Sequence, residues 1–256
     1  MLSTVLLGLT LSATSVFAQS IETPAPVAPI ITPVAVVAEK AEVIKTDVLA
    51  KVKERGAKLI KERVDALNSN LKSLEASKTL TTEQKAFFTT NINTQVAGLT
   101  ALGTSISNGT DASSTKALVG KIYSDFRIFA IVVPQIRIEK RIYDLQNHIT
   151  KMNENFAKVQ ARIDMYKTKG GDVTAMQKSL DDAKAVVVKS STTLSSLMTQ
   201  AIALKPSDYP TTSKTTIESI NKSLKDVAKE LESTKHMMKT TKSMKDNRTA
   251  SSTGNR

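Results

Sequence analysis

From Ile138 to Tyr166 the apolar residues are Ile138, Ile142, Leu145, Ile149, Met152, Phe156, Val159, Ile163 and Tyr166. After an opening step of four they fall three and four apart without a break, and Arg, Lys, Glu, Asp, Asn and Gln fill most of the positions between them. A mean spacing of 3.5 residues keeps one narrow stripe of a helix against partner helices, the signature of a coiled coil or long bundle. The pattern is informative about architecture and nearly silent about chemistry.

The same rule recurs along the chain. A first helix is expected from about Ala38 to Ala76, with a seam at Ile60, Val64, Leu67, Leu71 and Leu74 in its second half. Gly56 lies within it as a weak point of ~1 kcal/mol relative to Ala. Thr81 and Gln84 form a capping box that opens a second helix with a seam of Phe88, Ile92, Val96, Leu99, Leu102 and Ile106. So short a link makes the two helices an antiparallel hairpin. After turn residues at Ser107–Ser114, with Asp111 or Ser113 available as a cap, a third helix is expected to reach about Thr168, roughly 80 Å at 1.5 Å per residue. Pro134 removes a hydrogen bond from that helix and predicts a kink. The seam also changes phase between Ile136 and Ile138, consistent with a junction.

Gly170-Gly171-Asp172 reads as a stop followed by a start, glycine closing one helix in the left-handed conformation and Asp172 capping the next. The fourth helix carries Val173, Met176, Leu180, Ala183, Val187, Ser190, Leu194, Leu197, Ala201 and Leu204 at seam spacing, and ends at Lys205–Pro210. The last, about Thr211 to Lys245, carries Ile217, Ile220, Leu224, Val227, Leu231 and Met238, with Thr234 in the same register. The expected fold is therefore all-α: an elongated antiparallel helical bundle or coiled coil of about five helices. It comprises two three-helix bundles, 38–136 and 137–245, end to end and sharing the long Pro-kinked third helix. Its geometry is similar to that of spectrin-type rods, whose aromatic markers are missing here. Composition agrees: the chain has no Trp, six Phe and four Tyr, too few bulky residues for the pocket of a compact enzyme.

The N-terminus reads as an export signal over residues 1–18. Val5 to Leu11 is mostly apolar, and Val16-Phe17-Ala18 places small residues at the −3 and −1 positions of a cleavage site. No Lys or Arg precedes the apolar core, but the alternative, an uncleaved anchor, lacks the ~20 apolar residues of a membrane span. Residues 19–37, with Pro24, Pro26, Pro29 and Pro33, are expected to form a semi-rigid tether. Residues 246–256 lack apolar side chains apart from Ala250 and are expected to be a disordered polar tail. With no Cys, neither a disulfide nor a lipid-modified cysteine is available. The expectation is an exported protein, periplasmic or secreted, that is not integral to the membrane after signal cleavage.

The formal charge of +12 suits anionic partners, yet Lys and Arg alternate with Glu and Asp along most helices, as on a solvated surface. Charge gathers only late, where Lys235, Lys239, Lys242, Lys245 and Arg248 are candidate contacts for a polyanion, nucleic acid or cell-wall polymer. No base-reading motif and almost no stacking aromatics accompany them. His148 and His236 lie on distant helices without a third ligand at helical spacing. His236-Met237-Met238 with Met244 has the softness of a copper(I) site, but methionines at bundle positions fill gaps. Asp181-Asp182 are adjacent on a helix and do not face one another, and no Gly-x-Ser-x-Gly elbow or phosphate loop occurs. No catalytic, cofactor-binding or metal-ligating set is assigned, and no small-molecule substrate is evident.

Tyr123-Ser124-Asp125-Phe126-Arg127-Ile128-Phe129-Ala130-Ile131-Val132-Val133-Pro134 combines an aromatic–Arg–apolar–aromatic run with a proline, between two helical hairpins. It resembles a segment of uncharacterised exported helical proteins from small-genome candidate bacterial lineages. The layout of signal, Pro-rich tether and Gly-Gly-Asp turn is also similar. The resemblance implies an envelope location and carries over no catalytic residues. Arg127 and Pro134 mark the junction, and Arg127 is expected either to reach outward along its stem or to pair with an acid there. The functional expectation is a non-enzymatic spacer, adaptor or scaffold of the cell envelope, contacting a protein partner or itself through helical faces. The alternative is a basic binder of anionic polymers.

Overall fold

The computed structural model describes the backbone of residues 33–252 and the side chains of residue 40 and residues 42–235. The expected signal peptide, residues 19–32 of the tether and residues 253–256 of the tail lie outside the described residues. The chain divides into two compact units, Met1–Ile44 and Lys45–Arg256. In the first, the described backbone is helical from Pro33 and the side chains of Val43 and Ile44 are exposed.

The fold is all-α. The helices are α1 (Pro33–Glu75), α2 (Thr82–Ser107), α3 (Ala112–Lys121), α4 (Val133–Thr168), α5 (Thr174–Ile202) and α6 (Thr211–Ser252), and no strand occurs among the described residues. No helix among them is long and apolar enough to cross a membrane.

The seams read from the sequence are the buried faces. One core takes Ile60, Leu67 and Leu74 from α1, Phe88, Ile92, Leu99 and Ile106 from α2, and Val119 from α3, closing on Val133 and Ile136 at the start of α4. The other begins at Ile138 and runs through Ile142, Ile149, Met152, Phe156 and Ile163, against Leu180, Val187 and Leu194 of α5 and Ile220, Leu224, Val227 and Leu231 of α6. The phase change between Ile136 and Ile138 is thus the point at which α4 passes from one core to the other. Each large aliphatic side chain removed from water contributes about 1.5–3 kcal/mol, so the narrow stripes carry most of the stabilisation.

The turns follow local chemistry. Thr81 accepts from the Gln84 amide while the Gln84 side chain accepts from the Thr81 amide at 3.0 Å, the reciprocal box that starts α2. Asp111 Oδ2 accepts from Ser114 N–H at 2.7 Å and caps α3. At the end of α4, Gly170 has φ 78°, its N–H donates to the Lys167 carbonyl at 2.9 Å, and Gly171 N–H donates to the Tyr166 carbonyl at 3.1 Å. This is the Schellman closure. A Cβ on Gly171 would fall 2.2 Å from the Tyr166 ring, which would have to move to admit it. Asp172 Oδ1 then accepts from Thr174 N–H at 3.0 Å.

Three expectations are corrected. The third helix is not one helix kinked at Pro134: it is interrupted seven residues earlier, at Arg127, which adopts the left-handed conformation (φ 38°, ψ 45°). Two π-helical turns, Ile122–Phe126 and Ile128–Val132, flank it. Pro134 is the second residue of α4, directly after the π-helical turn Ile128–Val132, so it follows the break instead of making it. The second correction is that α1 starts at Pro33, inside the expected tether, because proline is also tolerated in a first helical turn. Finally, α6 runs on to Ser252, seven residues into the stretch expected to be disordered. Extension of an existing helix needs no new nucleus, and neither Pro nor Gly occurs between Pro210 and Gly254.

Candidate interaction site at the helix break

Tyr123 and Phe129 are six residues apart. On an uninterrupted helix they would lie roughly 9 Å apart along the axis and about a third of a turn apart around it. The π-helical turns and the left-handed Arg127 between them bring both rings onto one side chain. The guanidinium carbon of Arg63, on α1, sits 4.9 Å from the Tyr123 ring centre and 5.3 Å from that of Phe129. Arg63 is only 6% exposed, whereas Tyr123 and Phe129 are 43% and 53% exposed. Arg63 Nη1 donates to the Leu59 carbonyl at 2.9 Å, and its Nε–H is buried without an acceptor. Cation–π attraction of this kind is worth about 0.5–2 kcal/mol, more as the cation is desolvated.

Arg127 does the same on another element. Its guanidinium lies 4.8 Å from the ring centre of Tyr209, in the α5–α6 connection, and its Nε–H is also buried without an acceptor. It forms no ion pair with an acid among the described residues, so the stacking on Tyr209 takes the place of the pairing considered from sequence. The connection is held in turn by Ser213 Oγ donating to the Lys205 carbonyl at 3.1 Å. Phe126, beside Arg127, rests on α2: a Cβ on Gly98 would meet its ring at 2.8 Å.

Further along α4 the α1–α2 link is clamped down. Thr79 Oγ1 donates to Asp144 Oδ1 at 2.5 Å, and Asn147 Nδ2 donates to the Thr79 carbonyl. Phe87, Phe88 and Tyr143 meet edge to face, with ring centres 5.6 to 6.4 Å apart. One turn before Tyr143, Glu139 is 2% exposed and accepts from Gln135 Nε2 at 3.0 Å. Burial pushes its carboxyl up to about 7, the Gln135 amide opposing it, and burial together with Glu139 raises the Tyr143 hydroxyl.

Of the residues singled out from sequence, Arg127 lies at the break and Pro134 just past it, at the head of α4. Lys235 is exposed and pairs with Glu232 at 3.2 Å. Lys239, Lys242, Lys245 and Arg248 follow on successive turns of α6, their side chains outside the described residues, as are those of His236, Met238 and Met244. His148 is half-buried on α4. Asp181 accepts from Gln177 at 3.0 Å and Asp182 pairs with Lys178 at 2.8 Å, so the two carboxylates serve separate neighbours. Among the described residues no three His, Cys, Asp or Glu converge on a metal position. A shallow groove of about 220 Å³ is lined by Lys53, Glu54, Ala57, Gly103, Ile106 and Ser107. Arg63 and Glu139 were not found from sequence. Each is a charged residue next to a seam position, a signal that helices with mixed surface charge repeat too often to be selective.

Comparison of the chain with protein-family models, with curated proteins and with solved structures finds no match.

Proposed function

We propose that this chain is a non-enzymatic, exported helical protein of the cell envelope or periplasm, acting as an adaptor or spacer. The observation that carries this reading is how its side chains are divided between packing and display. The seam aliphatics pack into the two cores, and the outer faces carry local pairs such as Lys51–Asp47, Lys61–Asp65 and Lys178–Asp182, with isolated exposed aliphatics such as Val188 and Ile202. Against that background Tyr123 and Phe129, the exposed aromatic side chains among the described residues, stand out on a buried arginine. Aromatic and arginine anchors are the side chains that dominate protein–protein contacts. The export signal and Pro-rich tether read from the sequence supply the location.

A second reading, a basic binder of anionic polymers, is favoured by the net charge of +12 and by the run Lys235, Lys239, Lys242, Lys245 and Arg248. Crosslinked affinity capture of the full chain from its own envelope fraction, at low and high salt, separates the two. A discrete protein retained at high salt is expected. Nucleic acid or wall polymer recovered only at low salt would reverse the ranking, because binding through phosphates or similar charges weakens steeply with salt.

A further inference from the structure

The helix break holds positive charge that the fold does not neutralise. Neither Arg63 nor Arg127 pairs with a carboxylate among the described residues, and the Nε–H of each is buried without an acceptor. Asp125, the acid nearest to Arg127 in sequence, accepts instead from Ser124 Oγ at 2.5 Å. A desolvated guanidinium without a counter-ion is unfavourable, and a carboxylate brought from outside would relieve it. Independently, Tyr123 and Phe129 each hold one ring face on Arg63 while remaining 43% and 53% exposed. Such rings offer a large apolar contact to a partner.

We propose that this break is a docking site for an acidic segment of a partner protein, a carboxylate meeting the Arg63 guanidinium and apolar side chains lying on the rings of Tyr123 and Phe129. The proposal rests on the adaptor reading and names the partner's chemistry. Arginine suits the role because its planar fork matches a carboxylate and stacks on aromatics at the same time, which a lysine cannot do. One fork position, Nη1, is already engaged by the Leu59 carbonyl. The partly exposed rings have solvent into which they can turn as the carboxylate enters. The surplus charge of +12 adds a field that draws an acidic segment in and repels a basic one.

The test uses the full chain and a fluorescein-labelled octapeptide of six Glu around a central Leu-Leu, beside its Gln counterpart. Titrations are read by fluorescence anisotropy at 0.15 and 0.5 M salt. The Glu peptide is expected to bind about tenfold or more tighter than the Gln peptide, with part of the affinity surviving at high salt. The double variant Tyr123→Ala/Phe129→Ala is expected to lose about tenfold while helicity by circular dichroism stays unchanged. Lys178→Ala/Lys189→Ala, remote from the break, should change affinity by less than about twofold. Arg63→Lys keeps the charge and loses the planar face, and a similar tenfold loss there decides the matter if the double variant proves less helical. Equal binding of the Gln peptide, or undiminished binding by both ring and arginine variants, would overturn the site. So would inorganic polyphosphate that displaces the peptide and binds the ring variant as well as the parent chain, since that marks a general polyanion surface. The adaptor reading fails separately: a ring variant that loses the peptide test but keeps its high-salt protein partner overturns only the site, whereas a parent chain without such a partner overturns the adaptor.

Discussion

Among the described residues the backbone enters the left-handed region twice, at Gly170 between α4 and α5 and at Arg127 between α3 and α4. The first uses the residue with no Cβ penalty, and its two closing hydrogen bonds are local. The second places a long charged side chain where an L-residue is disfavoured by about 1–2 kcal/mol. Around Gly170 the neighbouring helices keep one seam and one core. Around Arg127 the helix changes to π-helical turns and an arginine is buried on α1. The difference teaches where each conformation gets its support. The Gly170 turn stands on its own residues, while the Arg127 break is held by contacts from α1, from α2 and from the α5–α6 connection.

If both regions are packed to the same density, Leu99→Ala in the core beside the break and Leu194→Ala in the regular core should each lower stability by about 3 kcal/mol in urea denaturation. A clearly smaller loss at Leu99 would show that the irregular region can collapse into the space. Next in size is the buried carboxyl. Glu139 has its proton affinity raised from an ordinary 4.5 to about 7, so the folded state binds that proton more tightly than the unfolded chain does. The stability this group contributes is fullest below pH 4.5 and is lost as pH rises from there through about 7, by about 3 kcal/mol. Glu139→Gln should remove that slope while keeping the packing. An unchanged slope in the variant would assign the pH dependence elsewhere.

The two left-handed residues give smaller, opposite effects. Gly170→Ala should destabilise by about 1 kcal/mol, because φ 78° then carries a Cβ. At Arg127, Gly should be more stable than Ala by about 1 kcal/mol, since both lose the Tyr209 stack and only Gly relieves the backbone. Thermal melts of the two Arg127 variants measure that difference directly, and equal midpoints would mean the break relaxes once the side chain is gone. The smallest expected change is Thr81→Ala, about 1 kcal/mol or less from the lost cap of α2, localised by faster amide exchange in its first turn.

Much of this was open to reading in one dimension. Seams at three-and-four spacing named most of the aliphatic side chains of the two cores, and Ser190 and Thr234 with them, because the period of a helix sets which face meets its partners. Caps at Thr81 and Asp111 and the stop at Gly170 were legible because each is made by residues within a few positions of one another. The break was placed at Pro134 instead of Arg127 for the converse reason. Proline advertises its defect in any helix interior, whereas nothing local distinguishes an arginine that will be forced left-handed. Its phase shift was visible between Ile136 and Ile138, but the turn that produces the break lies upstream, where Phe126 needs Gly98 and Arg127 needs Tyr209.

By itself, then, the sequence determined the all-α class, the seams, the caps and the accumulation of positive charge, all of which follow from residue type and periodicity. Only the tertiary structure decided that Arg63 lies between Tyr123 and Phe129, that Arg127 stacks on Tyr209, and that Glu139 is buried with one amide for company. Arg63 is 60 residues from Tyr123 and Arg127 is 82 from Tyr209, and contacts at such separation are set by how helices pack. No local rule encodes them, since the energy that holds a strained residue in place comes from partners the chain meets only after it folds.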